Sequence, residues 1–346
     1  MPTQRILLIG CFSPGHLPGS LARAFERLGY EVFGFDSDRA YFEAAVGAGN
    51  RFVRRLLRRA LWARMNLSTI EVVRCVRPAL VLTVKGTYLH PETIRRIRQG
   101  FGVPFVNYYA DNPYCGMPWN PRKSSTQRRD LIHALREYTR VWIWERGMAQ
   151  RLAGDGVAAA YLPFGVDAKL FRPSAPAACP ECGQQHQVVF VGQHSDKRQA
   201  HIAAVRQHPV ALWGGRWQRG AASLNGCAQV HQRPAFGADC ATLYCSAAVS
   251  LNVVDDLNMP GHNMRTFEIT GSGGLMLSTY TVEQAEFFPE GEAALYYRDP
   301  AEIDDTIARA LRDRCWAERI RQRAYTIAAN HPYTDRARVM AADVGL

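Results

Sequence analysis

Short apolar segments recur along this sequence, and each ends in glycine or a polar residue before a stretch with helical periodicity. The first, "RILLIG" (Arg5–Gly10), is followed by such a stretch and then by "EVFGFD" (Glu31–Asp36). Apolar segments that alternate with helices, and are not joined by tight hairpin turns, are typical of parallel strands with crossover helices. The sequence therefore predicts an α/β protein with doubly wound parallel sheets.

The loops that follow these segments carry polar residues. Lys85 and Gly86 follow "PALVLTV", and Asp111 and Asn112 follow "VPFVNYYA". In an open parallel sheet, the loops at the carboxyl ends of the strands form the ligand-binding crevice. The loop after Gly10 lacks the G-x-G-x-x-G spacing, so a standard dinucleotide site is only weakly supported.

The alternation breaks at residues 171–187 and then resumes with "QVVFVGQ", "PVALWGG", "AAVSLNV", "GGLMLS" and "AALYYR". A chain of 346 residues also exceeds the size at which one hydrophobic core usually keeps growing. We therefore expect an N-terminal domain at residues 1–170, a linker at 171–187 and a second domain at 188–325, followed by a helical tail at 326–346.

The formal net charge of +11 favours anionic partners. Much of this charge lies in "RFVRRLLRRALWARM", residues 51–65. On a helix, one face of this segment would carry Val53, Leu56, Leu57, Ala60 and Leu61, with arginines over the other. Such a helix can lie on a membrane surface, so peripheral membrane contact through Arg51 to Arg64 is one interpretation. A solvated helix packed on its own domain is the interpretation that we favour.

The thiols and the hydropathy pattern suggest a cytoplasmic protein. The nine cysteines show no regular disulfide framework. No segment is apolar for long enough to span a bilayer, and the first residues run directly into a strand pattern without a signal peptide.

Two features resemble metal sites without completing one. Cys179 and Cys182 have zinc-knuckle spacing with His186 nearby, but structural zinc needs four ligands and no second pair follows. Asp255 and Asp256 are adjacent, so on an extended segment their carboxylates point to opposite sides and chelate poorly together. We favour an ordinary turn and a solvated loop at these two places, and we expect no metal.

The segment "FVGQHSDKRQAHI" has the features of an anion site. Gly192 follows an apolar strand, and Lys197 and Arg198 come at a predicted helix start. The amide groups of a helix N-terminus and two cations would suit a phosphate. A loop with exposed basic residues explains this stretch equally well.

The segment "RTFEITGSGGLML" leads into a buried strand with a charged pair and three glycines. Arg265 and Glu268 share a helix face, so an ion pair would explain them. A glutamate can also accept hydrogen bonds from a ribose diol, and the planar fork of an arginine suits a phosphate. Gly271, Gly273 and Gly274 permit the close approach of a ligand or of a neighbouring element.

The order of several motifs resembles a known family. These are "VKG" (84–86), "YYADNP" (108–113), "LPFGVD" (162–167), "VVFVG" (188–192), "WGGRW" (213–217), "SLNV" (250–253), "RTFEITGSGGLML" (265–277) and the late "HPYTDRA" (331–337). With this order and spacing the chain resembles the GT-B glycosyltransferases, in particular those related to the spore-maturation protein CgeB. The resemblance implies two Rossmann-like domains facing across a cleft, with the C-terminal helix (326–346) packing back on the N-terminal domain.

The resemblance also implies a site for a nucleotide-diphosphate sugar, bound mainly by the C-terminal domain without a cofactor. Glu268 would bind the ribose, and Arg198, Lys197 and Arg265 would face the diphosphate. The other donor-side residues would be Gly192, Asn263, Gly273 and Gly274. Gly15, Lys85 and Asn112 would lie on the acceptor side with two candidate catalytic residues, Asp111 and His16.

One position departs from the family pattern. Retaining GT-B enzymes often carry a glutamate eight residues before the ribose ligand, where this chain has Pro260. The stereochemistry therefore stays open, with retention slightly favoured. An inverting enzyme would need a general base, for which Asp111 or His16 is the candidate. His16 could equally be a structural loop histidine, and Asp111 a turn residue before Pro113.

We therefore predict a cytoplasmic, metal-independent glycosyltransferase with a saccharide, lipid-linked or protein acceptor, lying at most peripherally on the inner membrane face. The alternatives are a nucleotide-sugar epimerase or phosphorylase of the same fold, an inactive sugar-nucleotide-binding module, and a basic nucleic-acid-binding protein. The last is disfavoured because basic residues outside Arg51 to Arg64 are scattered.

Overall fold

The computed structural model describes residues 3–37, 39–40, 51–86, 88–114, 126–173, 187–217, 224, 226–231 and 233–346. The chain divides into two compact units. The N-terminal unit comprises Met1–Pro163 and Thr334–Leu346, and the C-terminal unit comprises Phe164–Tyr333. Each unit contains one six-stranded parallel sheet. The prediction of an α/β protein with two Rossmann-like units is confirmed.

The sheet of the N-terminal unit has the order β2-β1-β3-β4-β5-β6. Its strands are β1 (Arg5–Gly10), β2 (Glu31–Asp36), β3 (Leu80–Val84), β4 (Phe105–Tyr109), β5 (Arg140–Ile143) and β6 (Ala159–Tyr161). The helices are α1 (Leu17–Arg27), α2 (Arg51–Val76), α3 (Pro91–Phe101), α4 (Thr126–Arg136) and α5 (Arg146–Gly154). Strands β3 and β4 are buried throughout, as near-continuous apolar segments in a parallel sheet should be.

The sheet of the C-terminal unit has the order β12-β11-β10-β7-β8-β9. Its strands are β7 (Val188–Val191), β8 (Val210–Trp213), β9 (Ala228–His231), β10 (Val249–Asn252), β11 (Met276–Thr279) and β12 (Leu295–Tyr297). The helices are α6 (Asp196–Ala203), α7 (Ala238–Ser246), α8 (Met264–Gly271), α9 (Val282–Phe287), α10 (Ile303–Arg312) and α11 (Arg314–Ala329). Strand β9, with the sequence "AQVH", was not predicted because it has no apolar run.

The last helix, α12 (Tyr333–Ala342), lies mostly in the N-terminal unit. Arg336 Nε donates a hydrogen bond to the Pro163 carbonyl oxygen at 3.2 Å. Farther along, Trp142 Nε1 donates to Asp343 Oδ2 at 3.2 Å. The C-terminal segment therefore forms hydrogen bonds with Pro163 and with strand β5, both in the N-terminal unit.

The basic helix α2 differs from its predicted packing. Leu61 is 7% exposed, but Leu57 is 43% exposed and Ala60 is also exposed. The three therefore do not share one buried face. The buried side of the helix instead runs through Met65 and Ile70.

Among the described residues, no helix is long and apolar enough to cross a membrane. No cluster of metal-ligating side chains occurs in that part of the chain either. Cys179, Cys182 and His186 lie outside the described residues.

Candidate functional site

Helix α8 begins on a buried polar network in the C-terminal unit. Asn263 is its N-cap, and its side chain accepts a hydrogen bond from the Thr266 N–H. The amides of Asn263 and Asn252 also exchange two hydrogen bonds, of 2.9 and 3.2 Å. Asn263 is 4% exposed, and its hydrogen bonds fix the start of helix α8.

The glycines after α8 form its stop signal. Gly273 has φ +75° and donates to the Thr270 carbonyl, while Gly274 donates to the Ile269 carbonyl. These two hydrogen bonds are those of a Schellman motif, which needs a left-handed residue after the helix cap. A Cβ on Gly274 would lie 2.8 Å from the carbonyl oxygen of Tyr244. Helix termination and close packing therefore explain these glycines without a ligand.

Arg265 reaches from α8 to the carboxyl end of β7. Its Nε donates to the Val191 carbonyl, and a Cβ on Gly192 would lie 3.2 Å from its guanidinium. No ion pair joins Arg265 to Glu268 among the described residues. The interpretation of these two residues as an ion pair is therefore wrong, and Arg265 instead donates to a backbone carbonyl 74 residues earlier in the chain.

Glu268 lies on the same helix, α8. No described residue donates a hydrogen bond to its carboxylate. Burial raises the pKa of Glu268 to about 7, and the positive charge of Arg265 only partly opposes this. Burial of the neighbouring Cys240 thiol raises its pKa to about 12, and the negative charge of Glu268 adds to this shift. A partly buried carboxylate without a donor from the described residues calls for an explanation.

Arg198 and Lys197 lie at the start of α6, as predicted. Ser195 caps this helix by accepting from the Arg198 N–H. The Arg198 guanidinium donates to the Gln193 carbonyl at 2.9 Å. Burial lowers the pKa of Arg198 to about 10, and the charge of Arg265 adds to this shift. Two arginines therefore share one partly desolvated region.

Asp255 and Asp256 partner these cations. Arg198 Nε lies 3.5 Å from Asp255 Oδ2, and Lys197 Nζ lies 2.7 Å from Asp256 Oδ1. Asp256 is 79% exposed, as a solvated loop predicts, whereas Asp255 is 18% exposed. The two carboxylates point to different partners, as expected for adjacent residues on an extended segment.

The loop between β7 and α6 contains a histidine that no sequence motif pointed to. His194 Nε2 lies 2.5 Å from Gln199 Oε1, and its backbone N–H donates to the Gly215 carbonyl. Its ring meets that of Trp217 edge to face, with the centroids 5.1 Å apart. Trp217 in turn donates to the Gly192 carbonyl at 2.8 Å. The recurrence of tryptophan in "WGGRW" was the sequence signal for this support.

In the N-terminal unit, the structure brings Lys85 and Asp111 together. Lys85 Nζ lies 2.7 Å from Asp111 Oδ2, and both side chains are about half exposed. The pairing follows from the register, in which Val84 of β3 faces Tyr108 of β4. Lys85 has φ +66°, an uncommon value for a residue with a side chain. Its carbonyl accepts from the buried Asn107 amide at 3.0 Å.

The remaining predicted residues of this unit lie in two loops. Asn112 Oδ1 accepts from the Tyr114 N–H at 2.9 Å, which makes it a turn residue. Gly15, with φ +76°, and His16 precede α1. His16 is the N-cap of that helix and makes no side-chain cap hydrogen bond. Because β1 neighbours β3 in the sheet, this loop and the Lys85 turn lie at the same edge.

A comparison with family models indicates a glycosyltransferase. Residues 196–342 match the family described as "Glycosyl transferase-like". A comparison with curated proteins gives no significant sequence match.

Several solved structures have the same overall fold at low sequence identity. Sucrose-phosphate synthase from Thermosynechococcus elongatus has a TM-score of 0.73 at 16% identity, covering 98% of both chains. Anabaena HepE in complex with UDP-glucose has a TM-score of 0.68 at 12% identity, again covering 98% of both chains. A UDP-forming trehalose-phosphate synthase from Burkholderia xenovorans has a TM-score of 0.65 at 14% identity, covering 99% of this chain and 98% of its own. The chain therefore has the GT-B glycosyltransferase fold.

Proposed function

We propose that this protein is a glycosyltransferase that takes a sugar from a nucleotide-diphosphate donor and transfers it to an acceptor hydroxyl. The observation that carries the proposal is the carboxylate of Glu268, which is partly buried and has no hydrogen-bond donor among the described residues. Two ribose hydroxyls would satisfy this carboxylate and favour its charged form.

The cations around Glu268 suit the diphosphate of such a donor. Arg198 and Arg265 are close enough to lower the pKa of Arg198, so an anion between them would relieve their repulsion. Lys197 and the N-terminus of α6 add positive potential. During transfer these groups would offset the charge that develops on the leaving diphosphate, so we expect no metal requirement.

UDP is the nucleotide that we propose. Among the similar structures, Anabaena HepE was solved with UDP-glucose and with UDP, and a trehalose-phosphate synthase is named as UDP-forming. Titration with five different nucleotides tests this assignment.

The acceptor side is proposed from Lys85 and Asp111. Their ion pair stands at the carboxyl ends of neighbouring strands, where ligands bind in open parallel sheets. In the retaining reaction that we favour, Asp111 would orient the acceptor hydroxyl, whereas in an inverting reaction it would act as general base. We propose a saccharide, lipid-linked or protein acceptor in the cytoplasm. The relationship to CgeB stays a prediction.

Calorimetric titration with UDP, GDP, ADP, CMP and dTDP tests the donor site. We expect saturable binding of UDP, weakened at least tenfold by Glu268→Ala, a loss of about 1.4 kcal/mol or more. Glu292→Ala, at an exposed glutamate of the same unit, is the matched control. Absence of nucleotide binding at millimolar concentration, with tight salt-sensitive binding of DNA or RNA, would overturn the proposal.

Product analysis tests the reaction itself. Incubation with UDP-sugars should release UDP, and NMR of the anomeric proton of the product gives the stereochemistry. Interconversion of the sugar without UDP release would instead indicate an epimerase. Formation of a sugar 1-phosphate from a glycoside and inorganic phosphate, without consumption of a nucleotide sugar, would indicate a phosphorylase.

A further inference from the structure

Strand β4 carries one amide side chain among apolar and aromatic ones. Asn107 is fully buried, and the other residues of the strand, Phe105, Val106, Tyr108 and Tyr109, are buried as well. Burial of an amide costs free energy unless the amide is hydrogen-bonded, so an apolar residue would serve the core better. The contacts of Asn107 therefore indicate what the amide does.

Two consecutive residues of β4 hold the backbone of Lys85. The Lys85 N–H donates to the Tyr108 carbonyl at 3.1 Å, and the Lys85 carbonyl accepts from Asn107 Nδ2 at 3.0 Å. The backbone here is left-handed, with φ +66° at Lys85 and φ +64° at Gly86. A residue with a side chain keeps such a conformation only where the surrounding contacts impose it. The Asn107 amide provides one of these contacts.

The ion pair with Asp111 gives a reason for a lysine in this conformation. A glycine at position 85 would adopt the left-handed conformation without strain. Lys85 Nζ instead lies 2.7 Å from Asp111 Oδ2, on the loop that follows β4. The turn alone therefore does not require a lysine, whereas the ion pair does.

The turn also packs closely against the neighbouring strands. A Cβ on Gly86 would lie 2.9 Å from the Tyr138 hydroxyl and 3.0 Å from Thr83 Oγ1. Both of these side chains are buried. The turn is therefore confined by these side chains as well as by the hydrogen bonds from β4, so a substitution at Asn107 or at Gly86 would displace it.

We propose that Asn107 is a positioning residue of the acceptor site, which holds Lys85 where its ammonium group meets Asp111. This inference rests on the proposed function, which assigns Lys85 and Asp111 to the acceptor side. Asn107 is fully buried, so it acts through the backbone of Lys85 and not by contact with the substrate. Without the amide, the Lys85 turn would relax from its left-handed conformation and the ammonium group would move away from Asp111.

Kinetics of Asn107→Leu test this role, measured as UDP release from UDP-glucose with water as the acceptor. Leucine has the same arrangement of heavy atoms but no hydrogen-bond donor. We expect kcat to decrease about tenfold, while KM for UDP-glucose changes by less than about twofold, because the donor residues belong to the other unit.

The same substitution in a Lys85→Ala background separates positioning from a general structural role. If Asn107 acts through Lys85, Asn107→Leu should lower kcat no further in that background, because residues that act through one another are not additive. An equal decrease in both backgrounds would overturn the proposal, as would an unchanged kcat in Asn107→Leu.

Two further variants complete the set. Gly86→Ala displaces the turn without a change in the core strand, so it should reproduce the decrease in kcat and its absence in Lys85→Ala even where Asn107→Leu does not fold. An unchanged kcat in Gly86→Ala would also contradict the proposal. Thr69→Val is the matched control, because it removes another buried hydrogen bond of the same unit, from the Thr69 hydroxyl to the Met65 carbonyl, and it should leave kcat unchanged.

Hydrogen exchange distinguishes failure of this proposal from failure of the proposed function. The amides of Lys85 and Gly86 donate to the Tyr108 and Val84 carbonyls. They should exchange at least about tenfold faster in Asn107→Leu, while the amides of strand β3 stay protected. A wild-type protein that releases no UDP would contradict the proposed function, whereas unchanged exchange at the turn would overturn the role of Asn107 in either case.

Discussion

Arg198 Nε lies 3.5 Å from Asp255 Oδ2, and both side chains are largely buried, with exposed fractions of 12% and 18%. A carboxylate therefore occupies one side of the arginine that the proposal assigns to the diphosphate. Nucleotide binding has to compete with this carboxylate or to add a second anion beside it. Either way, Asp255 opposes the binding of a phosphate.

Asp255→Asn should therefore tighten nucleotide binding. Removal of one negative charge near the diphosphate is expected to increase the affinity for UDP about fivefold, or roughly 1 kcal/mol. Asp256→Asn is the control, because Asp256 is 79% exposed and its pair with Lys197 is well screened. Calorimetric titration of both variants makes the comparison. Unchanged or weaker binding by Asp255→Asn, in a protein that unfolds like the wild type, would contradict this account.

Glu268 should make the stability of the protein depend on pH. Burial raises its pKa from 4.5 to about 7, so between these values the folded state keeps a proton that the unfolded state has lost. The free energy of unfolding contributed by this group is therefore greatest below pH 4.5 and decreases as the pH rises through 7, by at most about 3 kcal/mol. Glu268→Gln should remove this part of the pH dependence. Denaturant unfolding of both proteins from pH 4.5 to 8 measures the difference, and parallel profiles would refute the assignment.

Donor binding should show the opposite pH dependence. If ribose hydroxyls donate to Glu268, the ligand favours the carboxylate, so the affinity should increase with pH through 7. The expected gain between pH 6 and pH 8 is about tenfold for a single group with this pKa. UDP-glucose is the better probe, because UDP carries a terminal phosphate that titrates near pH 6. Affinity that is independent of pH in the wild type, or equally dependent in Glu268→Gln, would exclude Glu268 as the ribose ligand.

The parts of this molecule that the sequence could predict depend on local pattern. The strand that ends before Lys85 and the helix that begins near Lys197 are both short segments whose hydrophobic period and boundaries lie within a few residues. The charged residues at these boundaries could therefore be placed at the ends of strands and helices. Strand β9 was not predicted because "AQVH" has neither an apolar run nor a clear alternation of apolar and polar residues.

The contacts that define the site join distant parts of the chain. Arg265 binds a carbonyl 74 residues away, and Lys197 pairs with Asp256, 59 residues away. A local rule pairs Arg265 with Glu268 three residues later, whereas the tertiary structure offers Arg265 a buried carbonyl. The glycines after α8 were also ambiguous in the sequence. A nearby ligand and the end of a helix both favour glycine, so a local pattern does not distinguish the two.

Asp111 should act in the transfer step and not in nucleotide binding. Its carboxylate pairs with Lys85 in the N-terminal unit, whereas Glu268, Arg198 and Arg265 belong to the C-terminal unit. Asp111→Asn is expected to reduce the rate of sugar transfer about a hundredfold, the lower end for loss of a positioned acid or base. The affinity for UDP should stay within twofold of the wild type. Asp130→Asn, at an exposed aspartate of the same unit, is the control, and equal rates for both variants would remove Asp111 from the site.

Gly274→Ala should destabilise the C-terminal unit. The added Cβ would lie 2.8 Å from the backbone oxygen of Tyr244 and 3.0 Å from the side chain of Ile269. Since the Tyr244 carbonyl belongs to helix α7 and cannot move aside cheaply, we expect a loss of about 2 kcal/mol in the free energy of unfolding. Gly215→Ala, where a Cβ meets nothing within 4 Å, should change it by less than about 0.5 kcal/mol. Thermal and denaturant unfolding of the two variants measure the difference. A stable Gly274→Ala protein that fails to bind UDP would show instead that this glycine is needed for the ligand.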